Sequence, residues 1–501
     1  MNKPIQRVSI AVIVMILALL ANATYVQVIK ADALRSDPRN NRVLLDEYSR
    51  QRGAITAGGT VIAASVPTDS RLKFLRTYPP NGADAFAPVT GYYSFQYGSS
   101  GIEQYENSIL NGNDDRLFGQ RFMDMFSGRD PRGGNVVTTI DPKLQRVAFN
   151  AMRNGCSGGC RGAVVALQPN TGKILAMVSS PSYDPNRLSS HDQTVRETSW
   201  TAWNQANDIN NPMLNRAINE TYPPGSTFKV ITTAAALRDS VRPDIRLTAA
   251  PRITLPDTAT SLTNYGGETC PGSVGGTVSL AQAFKYSCNT AFVDLTTSKM
   301  RDPITVFRET ANRFGIDSKQ PDTPLPVSMS TVGPIPDLAA LGQASIGQRD
   351  VRVTPMQNAM IAATVANGGV RMQPYLVDKL QAADLRTLQT TQPTTINEPI
   401  SSDEAATLTS MMIESERSTA GAGGPVSIAS KTGTAEHADS SSPGSETPYS
   451  WYIAFGPSSN AQIAVAVVVE NGDLGSGSTG GAVAAPIGRA VINAQVGGAG
   501  G

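Results

Sequence analysis

A long apolar run lies close to the beginning of the chain. Lys3 and Arg7 precede a predominantly apolar stretch, residues 8–21, which Asn22 interrupts and residues 23–29 extend. A helix over residues 8–29 is long enough to cross a bilayer, and positive charge ahead of it retains that end in the cytoplasm. We therefore predict a cytoplasmic tip and an uncleaved membrane anchor within residues 1–30. A cleaved signal peptide ending at Ala21-Asn22-Ala23 is the alternative.

The apolar pattern of the second half of the chain predicts one sheet assembled from both ends of a domain. Runs rich in β-formers at 162–167 and 173–179 enclose Pro169-Asn170-Thr171-Gly172, which favours a hairpin. Three later strands with short connections favour antiparallel pairing, at 426–436, 449–456 and 462–470. Helical periodicity predicts four helices, at 227–238, 353–367, 402–415 and 483–496. Such layers define an α+β fold with a mainly antiparallel sheet flanked by helices.

The remaining pattern divides the chain into domains. Residues 31–155 have a mixed pattern with polar, Gly-rich loops, and we interpret them as an extended, non-catalytic α+β module. Asp141 and Pro142 predict a helix start, with Asp141 as the N-cap. A new sheet begins near residue 160, so residues 156–501 are predicted to form the catalytic domain. A length of 501 residues allows this number of domains.

Composition restricts the class of partner and suggests the redox compartment. The chain is 40% hydrophobic and 17% charged with a formal net charge of +1, which is typical of a globular protein and gives no basic stripe for nucleic acid. Four cysteines outside the cytoplasm favour disulfides. Cys156 and Cys160 flank a flexible Ser-Gly-Gly segment, which leaves Cys270 and Cys288 to pair. Free thiols, or a four-cysteine zinc site, are the alternatives.

The candidate chemistry begins with a serine and a lysine three residues apart, Ser226 and Lys229. Positions i and i+3 share a helix face, so the two side chains are expected to meet at the helix start. A serine hydroxyl needs a base to become a nucleophile. The chain has only two histidines, so lysine is the expected base. Lys229 must then be neutral, which requires burial and a nearby positive charge such as Lys431.

Two further motifs follow in order. Ser287-Cys288-Asn289 supplies a hydroxyl that can relay a proton and an amide that can bind a substrate amide. Lys431-Thr432-Gly433-Thr434 lies on a strand candidate, and its lysine and hydroxyl suit a substrate carboxylate. Gly433 permits a ligand to approach the backbone. The N–H groups of Ser226 and Thr434 are the candidate oxyanion hole.

Each motif alone is weak, because the chain contains similar patterns elsewhere. Ser70-x-x-Lys73 and Ser458-x-Asn460 repeat the first two motifs in segments that are more typical of polar surface. A Gly-x-Ser-x-Gly pattern centred on Ser157 suggests an α/β-hydrolase, yet no apolar strand leads into it and cysteines flank the serine. The combination of three motifs in one order carries the argument.

The order Ser-x-x-Lys, Ser-x-Asn, Lys-Thr-Gly resembles the penicillin-binding protein and serine β-lactamase superfamily. The resemblance to class B penicillin-binding proteins, and among them to the short monofunctional A type, extends over nearly the whole chain. It includes the predicted anchor and several further segments, namely Arg52-Gly53, Gly101-Ile102-Glu103, Thr139-Ile140-Asp141, residues 162–183 and Trp451-Tyr452-Ile453-Ala454-Phe455. A β-lactamase-like catalytic domain behind a pedestal or dimerisation module is the implied architecture.

The resemblance implies a peptidoglycan D,D-transpeptidase without metal or other cofactor. Ser226 would attack the penultimate D-Ala of a stem peptide, with Lys229 as base and Ser287 in the proton relay. Lys431 and Thr432 would hold the terminal carboxylate, and Asn289 the peptide amide. β-Lactams would acylate Ser226. The family also implies a catalytic domain outside the cytoplasm on a single-pass anchor, and a polytopic membrane glycosyltransferase as partner.

Two rivals within the superfamily stay open at this point. A serine β-lactamase needs a base for fast deacylation, and Glu414 and Glu436 are candidates that no motif supports. A non-catalytic β-lactam or muropeptide sensor would bind covalently without turnover. Such sensors usually need a cytoplasmic output segment, and only about seven residues precede the apolar run. An unusual feature is Cys288 in the middle of Ser-x-Asn, where a bond to Cys270 would tether the catalytic loop.

Overall fold

A computed structural model describes residues 3–30, 34, 48–70, 72–117, 119, 132–205, 208–319, 323, 325–435 and 448–498. Its first helix, α1 (Lys3–Thr24), continues as a π-helix over Tyr25–Ile29. Among the described residues, Lys3–Ile29 is one helix whose length and composition suffice to cross a membrane. The predicted apolar helix is therefore present.

Within the described residues, the other elements form a six-stranded sheet, a five-stranded sheet, four two-stranded sheets and the helices around them. The strands are β1 (Ile55–Ala57), β2 (Thr60–Pro67), β3 (Phe74–Thr77), β4 (Tyr93–Ser94), β5 (Gly98–Ser99), β6 (Asn135–Thr138), β7 (Gly162–Leu167), β8 (Ile174–Ser180), β9 (Arg246–Thr248), β10 (Arg252–Thr254), β11 (Ser261–Thr263), β12 (Thr277–Ser279), β13 (Arg371–Met372), β14 (Val377–Gln381), β15 (Thr387–Thr390), β16 (Thr395–Asn397), β17 (Ala429–Ala435), β18 (Tyr449–Gly456) and β19 (Ile463–Val469). The remaining α-helices are α2 (Ala83–Thr90), α3 (Gly101–Tyr105), α4 (Asn107–Leu110), α5 (Pro142–Asn154), α6 (Pro185–Ser189), α7 (Gln193–Trp203), α8 (Lys229–Arg238), α9 (Leu280–Lys285), α10 (Asn289–Asp294), α11 (Pro303–Arg313), α12 (Leu338–Ala344), α13 (Pro355–Ala366), α14 (Ser402–Arg417) and α15 (Ala485–Gly498).

The second half of the chain contains the predicted sheet built from both ends of one domain. Its strand order is β17-β18-β19-β7-β8, and each neighbouring pair is antiparallel. Strands β7, β8 and β19 are buried along their whole length, because helices such as α13 and α5 cover the sheet. The predicted hairpin and the four predicted helices are confirmed, with ends shifted by a few residues. Strand β17 lies at the edge of this sheet.

A second sheet, in the order β15-β14-β6-β1-β2-β3, supports the N-terminal module. Strands β14 and β15 come from residues 377–390, more than 200 positions after β6. The polar, Pro-containing pattern of residues 389–399 is typical of a connection, whereas the structure places part of this segment in β15 and β16. Exposed polar strands lack the apolar alternation that would reveal them. The N-terminal sheet therefore draws two strands from beyond residue 155.

A buried ionic cluster holds the N-terminal module together. Glu103 accepts hydrogen bonds from Arg52 Nε at 2.7 Å, from Arg76 Nε at 2.5 Å and from the Tyr78 hydroxyl at 3.1 Å. All four side chains are buried. Burial raises the pKa of the Glu103 carboxyl, but the two guanidinium groups outweigh burial and leave the pKa below its ordinary value. The cluster joins Arg52 and Glu103 of two segments on which the family resemblance rests.

We expect Glu103→Gln to destabilise the N-terminal module by about 3–5 kcal/mol, because two buried guanidinium groups lose their counter-charge. In the wild type, a lowered carboxyl pKa means that this stabilisation is complete above the unfolded pKa and is lost as pH falls through the folded pKa. Denaturant melts at neutral and acidic pH measure both effects. The exposed Glu309→Gln is the control, expected to stay within about 0.5 kcal/mol. Equal stability of the two variants would contradict the prediction.

Candidate active site

The candidate nucleophile lies on a turn that the rest of the domain holds in place. Ser226 is half-buried within a 3₁₀ turn, Gly225–Phe228, immediately before α8. Gly225 has a φ of +52°, and a Cβ there would lie 2.7 Å from the Thr434 carbonyl oxygen. The Trp451 indole donates a hydrogen bond of 2.9 Å to the carbonyl of Pro223. The turn is therefore packed directly against β17 and β18.

Lys229 begins α8 and is completely buried. Its Nζ lies within hydrogen-bond distance of the Ser287 carbonyl oxygen at 2.7 Å, of Asn289 Oδ1 at 2.7 Å and of Ser287 Oγ at 3.2 Å. The sequence predicted a contact with Ser226, yet none of the hydrogen bonds found for this amine among the described residues goes to Ser226. The amine instead joins the first motif to the second.

The second motif forms a strained turn between α9 and α10. Ser287 has a φ of +59°, a region that non-glycine residues rarely occupy and that tends to cluster at functional sites. Asn289 Nδ2 donates to the Thr263 carbonyl at 3.0 Å while its Oδ1 accepts from Lys229. The sequence assigned this amide to substrate alone, but the structure shows that it also fixes the amine of Lys229.

Strand β17 brings the third motif to the same place. Lys431 is completely buried and its Nζ donates to Ser287 Oγ at 2.9 Å. Thr432 and Thr434 are half-exposed on the opposite face of the strand. A Cβ on Gly433 would lie 2.6 Å from the Pro224 carbonyl oxygen. The turn that carries Ser226, and not an open cleft, therefore lies against this glycine. All three motifs therefore converge.

The two buried amines share one hydroxyl, and burial governs their charge. Burial, followed by the positive charge of Lys431, lowers the pKa of Lys229 well below its ordinary value. Burial lowers the pKa of Lys431 to about 7. No carboxylate pairs with either amine in the described part of the chain. Burial thus favours the neutral form of a lysine next to a serine, as general-base chemistry requires.

Sequence reasoning missed several residues that support the site. Glu416 is buried in α14, where it accepts from Ser430 Oγ at 2.5 Å, from the Tyr452 hydroxyl at 3.0 Å and from Arg489 Nε at 2.7 Å. It fixes the strand position next to Lys431. Glu416 directly follows the predicted helix 402–415, and its register with the buried face of that helix was the available signal.

The similar patterns elsewhere in the chain lie in different surroundings. Lys73 is exposed, and Ser459 and Asn460 lie exposed in the turn after β18. Ser157 is exposed and follows helix α5, whereas a nucleophile elbow follows a strand. Glu414 is ion-paired with Lys285 and Arg417. Glu436 lies outside the described residues.

Both cysteine pairs form disulfides, Cys156–Cys160 and Cys270–Cys288. The alternatives of free thiols and a zinc site are therefore wrong. The second disulfide ties the turn that carries Ser287 and Asn289 to the segment after β11. A hydrogen bond also links the same two segments. Thr290 N donates to Asn264 Oδ1 at 3.1 Å.

We expect the Cys270→Ser, Cys288→Ser double variant to acylate about tenfold more slowly, below the hundredfold that a 1 Å misplacement can cost. Loss of the cross-link should also cost about 3 kcal/mol of stability. Stopped-flow acylation by a reporter β-lactam and thermal melts measure the two effects. Cys156→Ser, Cys160→Ser is the matched control, which should lower stability without slowing acylation. An unchanged acylation rate in the Cys270→Ser, Cys288→Ser variant would contradict the prediction that this disulfide positions the turn of Ser287.

The fold and the three converging motifs are those of a serine acyl-transferase whose candidate base is a lysine. The family model described as the penicillin binding protein transpeptidase domain matches residues 162–493. A second, described as the penicillin binding protein A dimerisation domain, matches residues 52–136. The chain belongs to the penicillin-binding protein transpeptidase family, and the sequence-based resemblance is confirmed.

Individual proteins agree with this assignment over almost the full chain. The peptidoglycan D,D-transpeptidase PbpA of Mycolicibacterium smegmatis is 56% identical over 99% of both chains. The protein of the same name from Mycobacterium tuberculosis is 54% identical over 99% of both chains. The structure of penicillin-binding protein A from M. tuberculosis as a ceftriaxone acyl-enzyme superposes with a TM-score of 0.85 at 55% identity, covering 90% of this chain and 99% of that one.

Proposed function

We propose that this enzyme, a peptidoglycan D,D-transpeptidase, cross-links stem peptides through an acyl-enzyme on Ser226. The observation that carries the proposal is the convergence of Lys229 and Lys431 on Ser287 Oγ beside the turn that bears Ser226. This geometry supplies a buried neutral base, a relay hydroxyl and a positive charge in one groove. The activity itself follows from the family and its nearly full-length relatives.

In the acylation half-reaction, Ser226 Oγ attacks the carbonyl carbon of the penultimate D-Ala. Lys229 accepts the hydroxyl proton, and the N–H groups of Ser226 and Thr434 stabilise the oxyanion. The bond to the terminal D-Ala then breaks, and its nitrogen receives a proton through Ser287. The amine of a neighbouring stem peptide attacks the ester, which releases Ser226 and forms the cross-link. The network of Lys229, Ser287 and Lys431 can carry each proton.

Substrate binding is proposed at the free edge of β17. Thr432 and Thr434 face outward there, and Lys431 lies directly behind the strand. These groups suit the terminal carboxylate of the stem peptide, with Lys431 acting as a positive charge and the threonine hydroxyls as donors. An extended peptide can add to such an edge by main-chain hydrogen bonds. Asn289 retains a second amide hydrogen for the substrate amide.

We further propose that β-lactams acylate Ser226 and that the adduct is long-lived. The M. tuberculosis relative has structures as ceftriaxone, imipenem and penicillin G acyl-enzymes. A serine β-lactamase would need a carboxylate base for deacylation. The ion pairs of Glu414 with Lys285 and Arg417 do not favour it as that base.

Location and partners are proposed from the N-terminal elements. Helix Lys3–Ile29 would anchor the chain as a single-pass membrane protein with its catalytic domain outside the cytoplasm. The disulfides favour an oxidising compartment. Residues 31–155 would position the catalytic domain as a pedestal or dimerisation module, ahead of a transpeptidase domain over 156–501. A polytopic membrane glycosyltransferase is the proposed partner, because cross-linking of stem peptides needs glycan strands that carry them.

A labelled penicillin tests the proposal directly. We expect one adduct per chain by intact mass, mapped to the peptide that contains Ser226, and stable for minutes or longer. Incubation with uncross-linked peptidoglycan should release D-Ala and produce dimeric stem peptides. Label on another side chain would overturn the assignment of Ser226. An adduct without any D-Ala release would favour the sensor, and rapid loss of the adduct would favour the β-lactamase.

A further inference from the structure

Two phenylalanine rings lie behind the two lysine amines. Lys229 Nζ is 5.2 Å from the ring centroid of Phe292, and Lys431 Nζ is 5.7 Å from that of Phe284. The rings are 6.5 Å apart and inclined by 50° to each other. Both side chains are completely buried. Each amine therefore has a ring of its own within the distance at which cation–π attraction acts.

The same short segment carries both rings and the hydroxyl that the amines share. Ser287 N donates to the Phe284 carbonyl at 3.2 Å, and Phe292 N donates to the Cys288 carbonyl at 3.4 Å. The rings thus flank the turn of Ser287, one from α9 and one from α10. A shift of either ring would move an amine relative to Ser287 Oγ.

The described charged groups around the two amines do not supply the negative potential that would stabilise a positive charge on either amine. Lys431 is the charged group that lowers the pKa of Lys229, in addition to burial. Three ionisable side chains on the elements packed around the two amines have partners of their own. They are Glu416 on α14 with Arg489, Lys285 on α9 with Glu414, and Asp294 on α10, which accepts from Thr248 N. The electron-rich faces of the two rings supply negative potential at this place.

We propose that Phe284 and Phe292 are positioning residues of the transpeptidase site, each holding one lysine amine against Ser287 Oγ and stabilising positive charge on it. The proposal rests on the proposed roles of Lys229 and Lys431. It assigns function to two residues that lie outside the three motifs. It also explains how the two buried amines are held although neither pairs with a carboxylate among the residues that the structure describes.

We expect the two rings to affect opposite limbs of the pH profile of the acylation rate. Removing the Phe292 ring destabilises the charged form of Lys229, so the base becomes neutral at lower pH. The acid limb of the acylation rate should then move down by about one pH unit. Removing the Phe284 ring destabilises the charged form of Lys431, so the carboxylate-binding charge is lost earlier. The alkaline limb should then move down by a similar amount.

The experiment measures the second-order acylation rate by a reporter penicillin between pH 5 and 10, in about half-unit steps, for Phe292→Leu and Phe284→Leu. Phe307→Leu is the matched control, since this ring is equally buried and packs on Phe228, 5.8 Å away, under the nucleophile turn. Incorporation of 3,4,5-trifluorophenylalanine at position 292 keeps the ring shape and weakens its electrostatic attraction. This variant decides the question if leucine prevents folding.

A separate shift of the acid limb in the 292 variants and of the alkaline limb in the 284 variant supports the proposal. Profiles that scale down without moving, as expected for Phe307→Leu, assign the rings to packing alone and overturn it. Failure here is distinct from failure of the proposed function, because the penicillin adduct would still map to Ser226 in the wild type. An adduct elsewhere would remove the premise before any variant is made.

Discussion

Replacing Ser226 with alanine should abolish covalent labelling by penicillin and all release of D-Ala. The turn Gly225–Phe228 is fixed by packing against β17 and by the Trp451 hydrogen bond, so loss of one oxygen should leave the fold intact. Without the Ser226 hydroxyl no ester can form at this turn, and Ser287, whose Oγ both amines contact, is assigned to the proton relay. Intact mass after incubation with a labelled penicillin measures the effect against a wild type that is fully labelled.

Ser157→Ala and Ser70→Ala are the controls for this experiment. Both serines belong to patterns that imitate catalytic motifs, and both are exposed. Each variant should label as the wild type does. Ser226→Ala with wild-type labelling would remove the basis of the mechanism, whereas loss of label in Ser157→Ala would revive the α/β-hydrolase interpretation.

Replacing Lys229 with alanine should slow acylation about a thousandfold, within the range of roughly 10²–10⁴ that general-base catalysis contributes. The amine is completely buried, and its three hydrogen bonds link it to Ser287 and Asn289. Its loss removes the proton acceptor and also releases the second motif. Stopped-flow acylation at saturating and limiting reporter concentrations separates the loss of chemistry from the loss of binding.

The pH dependence identifies the charge that tunes this base. Since burial and Lys431 lower the pKa of Lys229, the acid limb of the wild-type rate should follow that lowered pKa. Lys431→Met removes the neighbouring charge, so the pKa of Lys229 rises and the acid limb should move to higher pH. Lys73→Ala, at an exposed position, is the control and should retain the wild-type profile. A Lys229→Ala rate within tenfold of the wild type would contradict the assignment of the base.

Local features of the site were predictable because they depend on short spacing. The turn after Pro224, the helix that buries Lys229 and the strand that bears Lys431 all follow from residues within one element. The contact between Ser226 and Lys229 was expected on the same grounds. The structure instead places the amine on Ser287 and Asn289, because side chains 58 and 60 positions away compete for it. Spacing limits which contacts are possible but does not choose among them.

Long-range pairing explains most of what sequence reasoning missed. Strand β14 pairs with β6 although more than 200 residues separate them, and polar β15 carries no apolar signature. Glu103 meets Arg52 and Arg76 across 51 and 27 positions. Phe284 and Phe292 look like ordinary core residues until the lysines are placed above them. Each case depends on which surfaces meet, and the pattern of one segment does not contain that information.

The amino-acid sequence by itself determined the apolar N-terminal helix, the α+β class, the antiparallel catalytic sheet and the three motifs, because periodicity and motif chemistry are local properties. Tertiary structure alone decided that the two buried amines share Ser287 Oγ and that Asn289 contacts one of them. It also decided that the turn bearing Ser226 packs against Gly433. The physical reason is burial. Removing Lys229 and Lys431 from water sets their charge, and only the packed domain creates that environment.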